Sequence, residues 1–204
     1  MNRSTVLDQY ILNRIDHYSK EDRIDQLTVV WLSDWSEVAG WDTLTQSVKE
    51  SIQSEEVPND LESNKYDEVL YFKHRFDFRG YTNEYLTKQT GHRITEGTPA
   101  LLEACPCCGY RTLEDLSGFD ICTVCWWEED GSDNDLNDTL LGGPNQGVTL
   151  ISARINFIRF GLFTADRPDL MDIKDDPHRF ARGRFFEING DYLVEKGTDW
   201  KVRL

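Results

Sequence analysis

Long apolar runs are missing from this sequence, cysteine is missing outside one short window, and no lysine or arginine falls between Arg111 and Arg154. Each absence excludes something. Without a run of about 18 apolar residues, no segment is suited to span a membrane. Five cysteines confined to positions 105–125 do not staple a whole chain, and their odd count also argues against the disulfide framework of a small secreted scaffold. Met1-Asn2-Arg3-Ser4 leads directly into polar, helix-like sequence with no secretory leader, so the expected compartment is the reducing cytoplasm. Catalytic signatures are missing too. His17, His74, His92 and His178 form neither an HExxH motif nor a His/Cys/Glu deaminase arrangement. There is no phosphate-cradling glycine motif, no GxSxG elbow and no Cys/His nucleophile pair, and an enzyme is not expected. No internal repeat or low-complexity tract is visible.

What is present is a metal-site pattern. Cys105-Pro106-Cys107-Cys108-Gly109 is followed by Cys122-Thr123-Val124-Cys125. A Cys-x2-Cys knuckle turns both sulfurs toward one point, and two knuckles supply the four tetrahedral ligands of a closed structural Zn2+ site. Cys105, Cys108, Cys122 and Cys125 are the predicted ligands, with iron as the alternative metal. Gly109 falls where such a turn needs a positive φ, and Pro106 stiffens it from inside. Cys107 is the spare thiol. A site closed by four sulfurs leaves no position for substrate, so the metal is expected to hold structure rather than to perform chemistry.

Charge carries the second message. With 22 basic against 37 acidic residues the formal net charge is −15, and Glu114, Asp115, Asp120, Glu128, Glu129, Asp130, Asp133, Asp135 and Asp138 all lie in the stretch without basic residues. Phosphate would be repelled there, so direct nucleic-acid binding is not expected. An acidic face suits a basic protein partner, and is also simply a solvated, solubilising surface. Glu128, Glu129, Asp130, Asp133 and Asp135 are the candidate partner-binding residues, with a contact through the N-terminal helices as the alternative. The same loop does not follow the ligand spacing of a calcium-binding EF-hand.

Periodicity predicts a mainly helical first half. Leu7, Tyr10, Ile11, Ile15 and Tyr18 mark one amphipathic helix. Ser19 caps a second, with Ile24, Leu27 and Trp31 on its buried side. Asp34 to Gly40 reads as a turn. A third helix is expected over 42–53, through Leu44, Val48 and Ile52, followed by a polar loop to Asn64. The aromatic cluster Val69–Phe72 with Phe76 and Phe78 fits helix or strand, and helix is the expectation. Thr82 begins a short helix ending at Gly91, and His92–Ala104 leads in extended form into the first knuckle. Beyond the second knuckle, Leu141–Gly147 reads as a loop. Thr149 caps a helix running to Gly161 with Leu150, Ala153, Ile155, Phe157 and Ile158 on its apolar face. Arg184–Ile188, the dipeptide Asn189-Gly190 and Asp191–Val194 predict a β-hairpin.

Cys105-Pro-Cys-Cys-Gly-Tyr-Arg-Thr-Leu113, Cys122-Thr-Val-Cys-Trp-Trp-Glu-Glu-Asp-Gly131, Gly142-Gly-Pro-Asn-Gln-Gly-Val-Thr-Leu150, Ala153-Arg-Ile-Asn-Phe157 and Phe160-Gly161 together resemble the bacterial CPCC cysteine-rich family. The resemblance covers about residues 101–161 and implies a zinc-ribbon-like unit joined to a helix, with no established reaction. It also implies a place in toxin and immunity neighbourhoods. Trp127 departs from the pattern, because it follows Trp126 where a single aromatic is expected. The pair is expected to pack about the knuckle, or to expose one indole as a protein-binding anchor.

The sequence therefore predicts an α+β fold. Residues 1–100 form a mostly helical region and 101–204 a CPCC zinc-ribbon-like domain with a C-terminal hairpin. The expected function is that of a cytoplasmic immunity protein, blocking a cognate bacterial toxin by occlusion, with a basic nuclease effector as the expected kind, structural Zn2+ as cofactor and neither membrane nor nucleic acid as partner. A zinc-ribbon adaptor and an uncharacterised hydrolase are the alternatives.

Overall fold

In the computed structural model, which describes every residue except Asn137, Leu140, Leu141, Gly142 and Pro144, the first helix begins where a cap is available. The Asn2 side chain accepts the Ser4 N–H, and α1 runs over Arg3–Asp16 with Val6, Leu7, Tyr10, Ile11 and Ile15 buried along one stripe. Ser19 and Asp22 form a reciprocal capping box for α2, Lys20–Trp31, which satisfies two of the donors a helix start leaves open.

The face of α2 differs from the expected one. Leu27, Val30 and Trp31 are buried, but Ile24 is 41% exposed and Arg23 lies inside in its place. Arg23 donates to the Ser63 carbonyl and to the Asp67 carboxylate, so an ion pair sets which side of the helix turns inward.

The expected helix over 42–53 is interrupted. A single 3-10 turn spans Trp41–Thr43, Leu44 is extended, and α3 covers Gln46–Gln53. Glu68 accounts for the break, because its carboxylate accepts both the Thr45 N–H, at 2.9 Å, and the Thr45 hydroxyl, at 2.8 Å. Leu44, Val48 and Ile52 are nonetheless buried. The ambiguous aromatic cluster is helical: α4 runs over Asp67–Asp77 and buries Val69, Leu70, Phe72, Lys73 and His74. Helix α5, Asn83–Thr90, stops before Gly91, whose φ is +75°. Tyr10 sets its ring edge-on to Phe78 and Tyr85, joining α1 to α4 and α5.

These helices belong to the first of two compact units, residues 1–79 and 83–99. The second comprises 80–82 and 100–204. Short as it is, the 80–82 segment is fixed within the second unit by a Thr82 N–H bond to the Arg179 carbonyl at 2.8 Å.

In the second unit β1, Glu103–Ala104, pairs antiparallel with β2, Arg111–Leu113, across the first knuckle. The loop expected at 141–147 falls partly outside the described residues. Thr149 then caps α6, Leu150–Phe160, which ends at Gly161 with φ +77°. Leu150 and Ala153 are buried as expected. The third residue inside is Arg154, while Ile155 and Phe157 are half-buried and Ile158 is exposed.

The C-terminal hairpin is present one residue out of the expected register. β3, Phe186–Asn189, and β4, Tyr192–Glu195, pair Asn189 with Tyr192, so the turn is Gly190-Asp191. Gly190, with φ +58°, takes the first central position, which in a tight hairpin turn of this kind favours glycine. A third strand, β5 at Lys201–Arg203, adds to β4 and carries no sequence signal of its own at three residues. The molecule is α+β, and among the described residues no helix is long and apolar enough to cross a membrane.

Candidate metal centre

Both cysteine pairs fold into the same turn. In the first, the Cys105 N–H donates to the Tyr110 carbonyl and the Gly109 N–H to the Cys105 carbonyl, both at 2.9 Å. In the second, the Cys122 N–H donates to the Trp127 carbonyl at 2.9 Å and the Trp126 N–H to the Cys122 carbonyl at 2.7 Å. Gly109 has φ +80°, and a Cβ there would collide with the Arg184 carbonyl. Glycine is therefore required twice over, by conformation and by space.

The two turns bring four sulfurs together. The Cys105, Cys108, Cys122 and Cys125 Sγ atoms lie within 4.8 Å of one another and all four residues are buried. Across the knuckles, Cys105 and Cys125 are 3.7 Å apart and Cys108 and Cys122 3.6 Å. A tetrahedron with metal–sulfur bonds of 2.3 Å has edges of about 3.8 Å, so the arrangement fits a four-coordinate metal ion. No disulfide forms, since that bond would need about 2.05 Å. Cys107 is buried but stands outside the group.

Without a cation, burial favours protonated thiols at three of the four positions. Burial pushes the Cys105, Cys108 and Cys125 thiols up. Burial opposes a charge on Cys122 as well, but hydrogen bonds from the other three ligand thiols and from the Thr112 hydroxyl, 3.1 Å away, hold it well below the usual thiol range. Four thiolates side by side need a cation to coexist.

The arginines missing from the cysteine window arrive from elsewhere. Arg154 donates through Nε to the Pro106 carbonyl at 2.8 Å and through Nη1 to Asn134 Oδ1 at 2.8 Å. Its guanidinium lies over the rings of Phe186 and Trp200. Burial lowers its pKa to about 10, which leaves it charged at neutral pH. Arg182 donates to the Cys108 carbonyl, and the Gly183 and Arg184 N–H groups both donate to the Gly109 carbonyl. The Phe163 N–H closes on the Cys125 carbonyl and the Asp175 N–H on that of Thr123. None of these partners was legible as part of the site. Arg154 sits in a helical pattern where a charged residue reads as surface, and 182–184 lie far along the chain.

Residues 103–174 match the model of the family described as Cysteine-rich CPCC. No curated protein and no solved structure matches the chain. The CPCC match takes in both knuckles and α6, while Arg182, Gly183 and Arg184, which brace the first knuckle, lie beyond it.

The five candidate partner-binding acids do not make one surface. Glu129 is 2% exposed, and its carboxylate accepts the N–H groups of Ser117 and Gly131. This corrects its placement on a contact face: the carboxylate is an internal acceptor for two loop amides. Asp133 is paired with Arg184 and Arg154. Burial works against its charge, yet Arg184 holds its carboxyl below the usual carboxylate range. Asp130 is half-buried and accepts from Ser132 and Asn145. Glu128 is half-buried and Asp135 is exposed. Of the two tryptophans, Trp127 is buried edge-on to Phe163 and Trp126 is half-buried.

Proposed function

We propose that the four cysteines hold a structural Zn2+ and that the protein is a binding protein without catalytic activity. In this reading it neutralises a cognate basic toxin by covering it, as an immunity protein does. Four thiolate donors on tetrahedral edges suit zinc, and a fully buried set leaves no coordination position for water or substrate. Metal binding of this kind counts directly toward folding, at about 10–16 kcal/mol in zinc-finger peptides. That matters in a unit whose strands are two to four residues long.

The observation that carries the functional part is the net charge of −15, in a chain whose buried thiolate centre takes no part in surface chemistry. A large field of one sign steers an oppositely charged partner and speeds its association. Asp135 and Glu128 are the members of the acidic run suited to meet such a partner, and the cytoplasm is the matching compartment.

The test is capture with the tagged protein at low salt from a lysate of its own cells, followed by an activity assay on whatever is retained in equal amounts. A basic protein whose activity is lost in the complex is the expected result, and its association rate should fall when Asp135 and Glu128 are changed to lysine. Retention of ribosomes or polymerase instead, or of no protein, overturns the immunity reading.

A further inference from the structure

The first unit carries a cavity of about 470 Å³, formed by the end of α2, the turn that follows it and the end of α3. Three of the chain's six tryptophans line it, Trp35 half-buried and Trp31 and Trp41 buried, with Ile52 beside them and the acidic residues Asp34 and Glu55. The size lies within the range of about 300–1,000 Å³ typical of ligand sites.

The aromatic walls are held from behind. Trp31 donates to the Ser51 carbonyl at 3.1 Å and stands edge-on to Tyr66. Trp35 stands edge-on to Phe72 and Phe76, and Trp41 edge-on to Phe72. The Trp35 indole N–H has no acceptor among the described residues.

The two carboxylates are both exposed. Asp34 accepts the Ser36 N–H at 2.9 Å, which holds its carboxyl below the usual range. Glu55 follows α3 with φ +57°, a left-handed conformation that favours glycine over glutamate. No lysine or arginine is among the residues lining the cavity, so nothing there neutralises the pair.

Indole faces attract a cation, apolar walls accept a methylene stem, and carboxylates meet the charged head. Arginine and lysine side chains join all three features, whereas a compact ammonium ion has no stem. We infer that this cavity is the socket for a basic side chain of the partner protein. The inference rests on the reading above that the partner is basic, and it places an anchor of the contact in the N-terminal unit.

The experiment is a titration of the full-length, metal-loaded, 15N-labelled protein with acetyl-Gly-Arg-Gly-amide, followed through the indole N–H resonances. These are assigned by single Trp→Phe substitution. The Trp35 and Trp41 signals are expected to shift saturably. Acetyl-Gly-norleucine-Gly-amide, which keeps the stem and lacks the charge, should bind about tenfold more weakly. Asp34→Asn and Glu55→Gln should each weaken the arginine peptide about threefold.

The socket is refuted if the norleucine peptide binds equally well, if both carboxylate variants bind as the parent does, or if no indole signal moves. Tetramethylammonium binding as tightly as the arginine peptide refutes it too, since that would mark a site for small organic cations. These outcomes are separable from the immunity reading. A captured basic toxin that Asp34→Asn, Glu55→Gln and Trp35→Phe leave fully bound would remove the socket and keep the function. Arginine-peptide binding with no basic protein captured would do the reverse.

Discussion

Trp126 stands in the second knuckle where Gly109 stands in the first. Each follows the last cysteine of its pair, each has a left-handed backbone, φ +64° and +80°, and each donates its N–H to the carbonyl of the pair's first cysteine. The turn itself tolerates a side chain in that conformation at a modest energetic cost. What differs is the surrounding space, because the Arg184 carbonyl closes over Gly109. Gly109→Ala is therefore expected to abolish metal-dependent folding of the second unit, while Trp126→Gly keeps it. Thermal melts with and without added Zn2+ decide the matter, and equal loss in both variants would contradict the correspondence.

The ligand assignment is tested cysteine by cysteine. One Zn2+ per chain is expected in the parent protein and in Cys107→Ser, whereas Cys105→Ser, Cys108→Ser, Cys122→Ser and Cys125→Ser should each lose it. Chelation should unfold the second unit and leave the helices of the first. Metal analysis of purified variants and Co2+ charge-transfer spectra read the outcome. A Cys107→Ser protein without metal would show that the spare thiol is a ligand after all.

Arg154 is the only fully charged side chain at 0% exposure in the second unit among the described residues. Replacing it with leucine removes the charged donor to the buried Pro106 carbonyl and to Asn134 Oδ1 and leaves Asp133 with Arg184 alone, an expected loss of about 3–5 kcal/mol. Arg154→Lys restores the charge without the planar fork and should recover little of that. Urea unfolding of the metal-loaded proteins measures both. A lysine variant at the parent midpoint would mean that charge alone matters.

His74 is expected to make the stability of the first unit depend on pH. The imidazole is buried, with Nε2 2.8 Å from the Tyr18 hydroxyl and Nδ1 3.4 Å from Asp77. Burial lowers its pKa from 6.5, against the opposing pull of Asp77 and with Lys73 and Arg14 adding to the lowering. The unfolded chain therefore takes up this proton at a higher pH than the folded one does. Stability from this group is complete above about pH 6.5 and declines as pH falls from there toward the lowered folded value. Asp77, whose pKa is also lowered, acts in a separate window below about pH 4. The difference in unfolding free energy between the parent and His74→Gln should change between pH 7 and 5. A constant difference would assign the effect elsewhere.

How far the sequence could be read depends on how local each signal is. The clustering of Cys105, Cys108, Cys122 and Cys125 was legible because a Cys-x2-Cys turn is decided within five residues. Likewise, Ser19 and Thr149 announced their helices through caps that need only their own first turn. Arg23 and Arg154 were not legible, since both lie inside through partners distant in sequence, Asp67 for one and Pro106 for the other. Periodicity assigned their places to Ile24 and to the isoleucines of α6. The break before α3 escaped for the same reason, because Glu68 supplies the competing acceptor from another helix. The acidic run read as one surface because composition does not distinguish a solvated carboxylate from one turned inward, as Glu129 is.

Among the described residues, every backbone carbonyl of the knuckles that is tied down from outside, at Pro106, Cys108, Gly109, Thr123 and Cys125, is tied by a residue between 154 and 184. On a ribosome the cysteines emerge well before those donors do. If the cysteines take a metal as proposed, its secure capture is a late event in the life of the nascent chain. On that reading, the Cys108 and Gly109 carbonyls lack their outside donors until Arg182–Arg184 have left the exit tunnel.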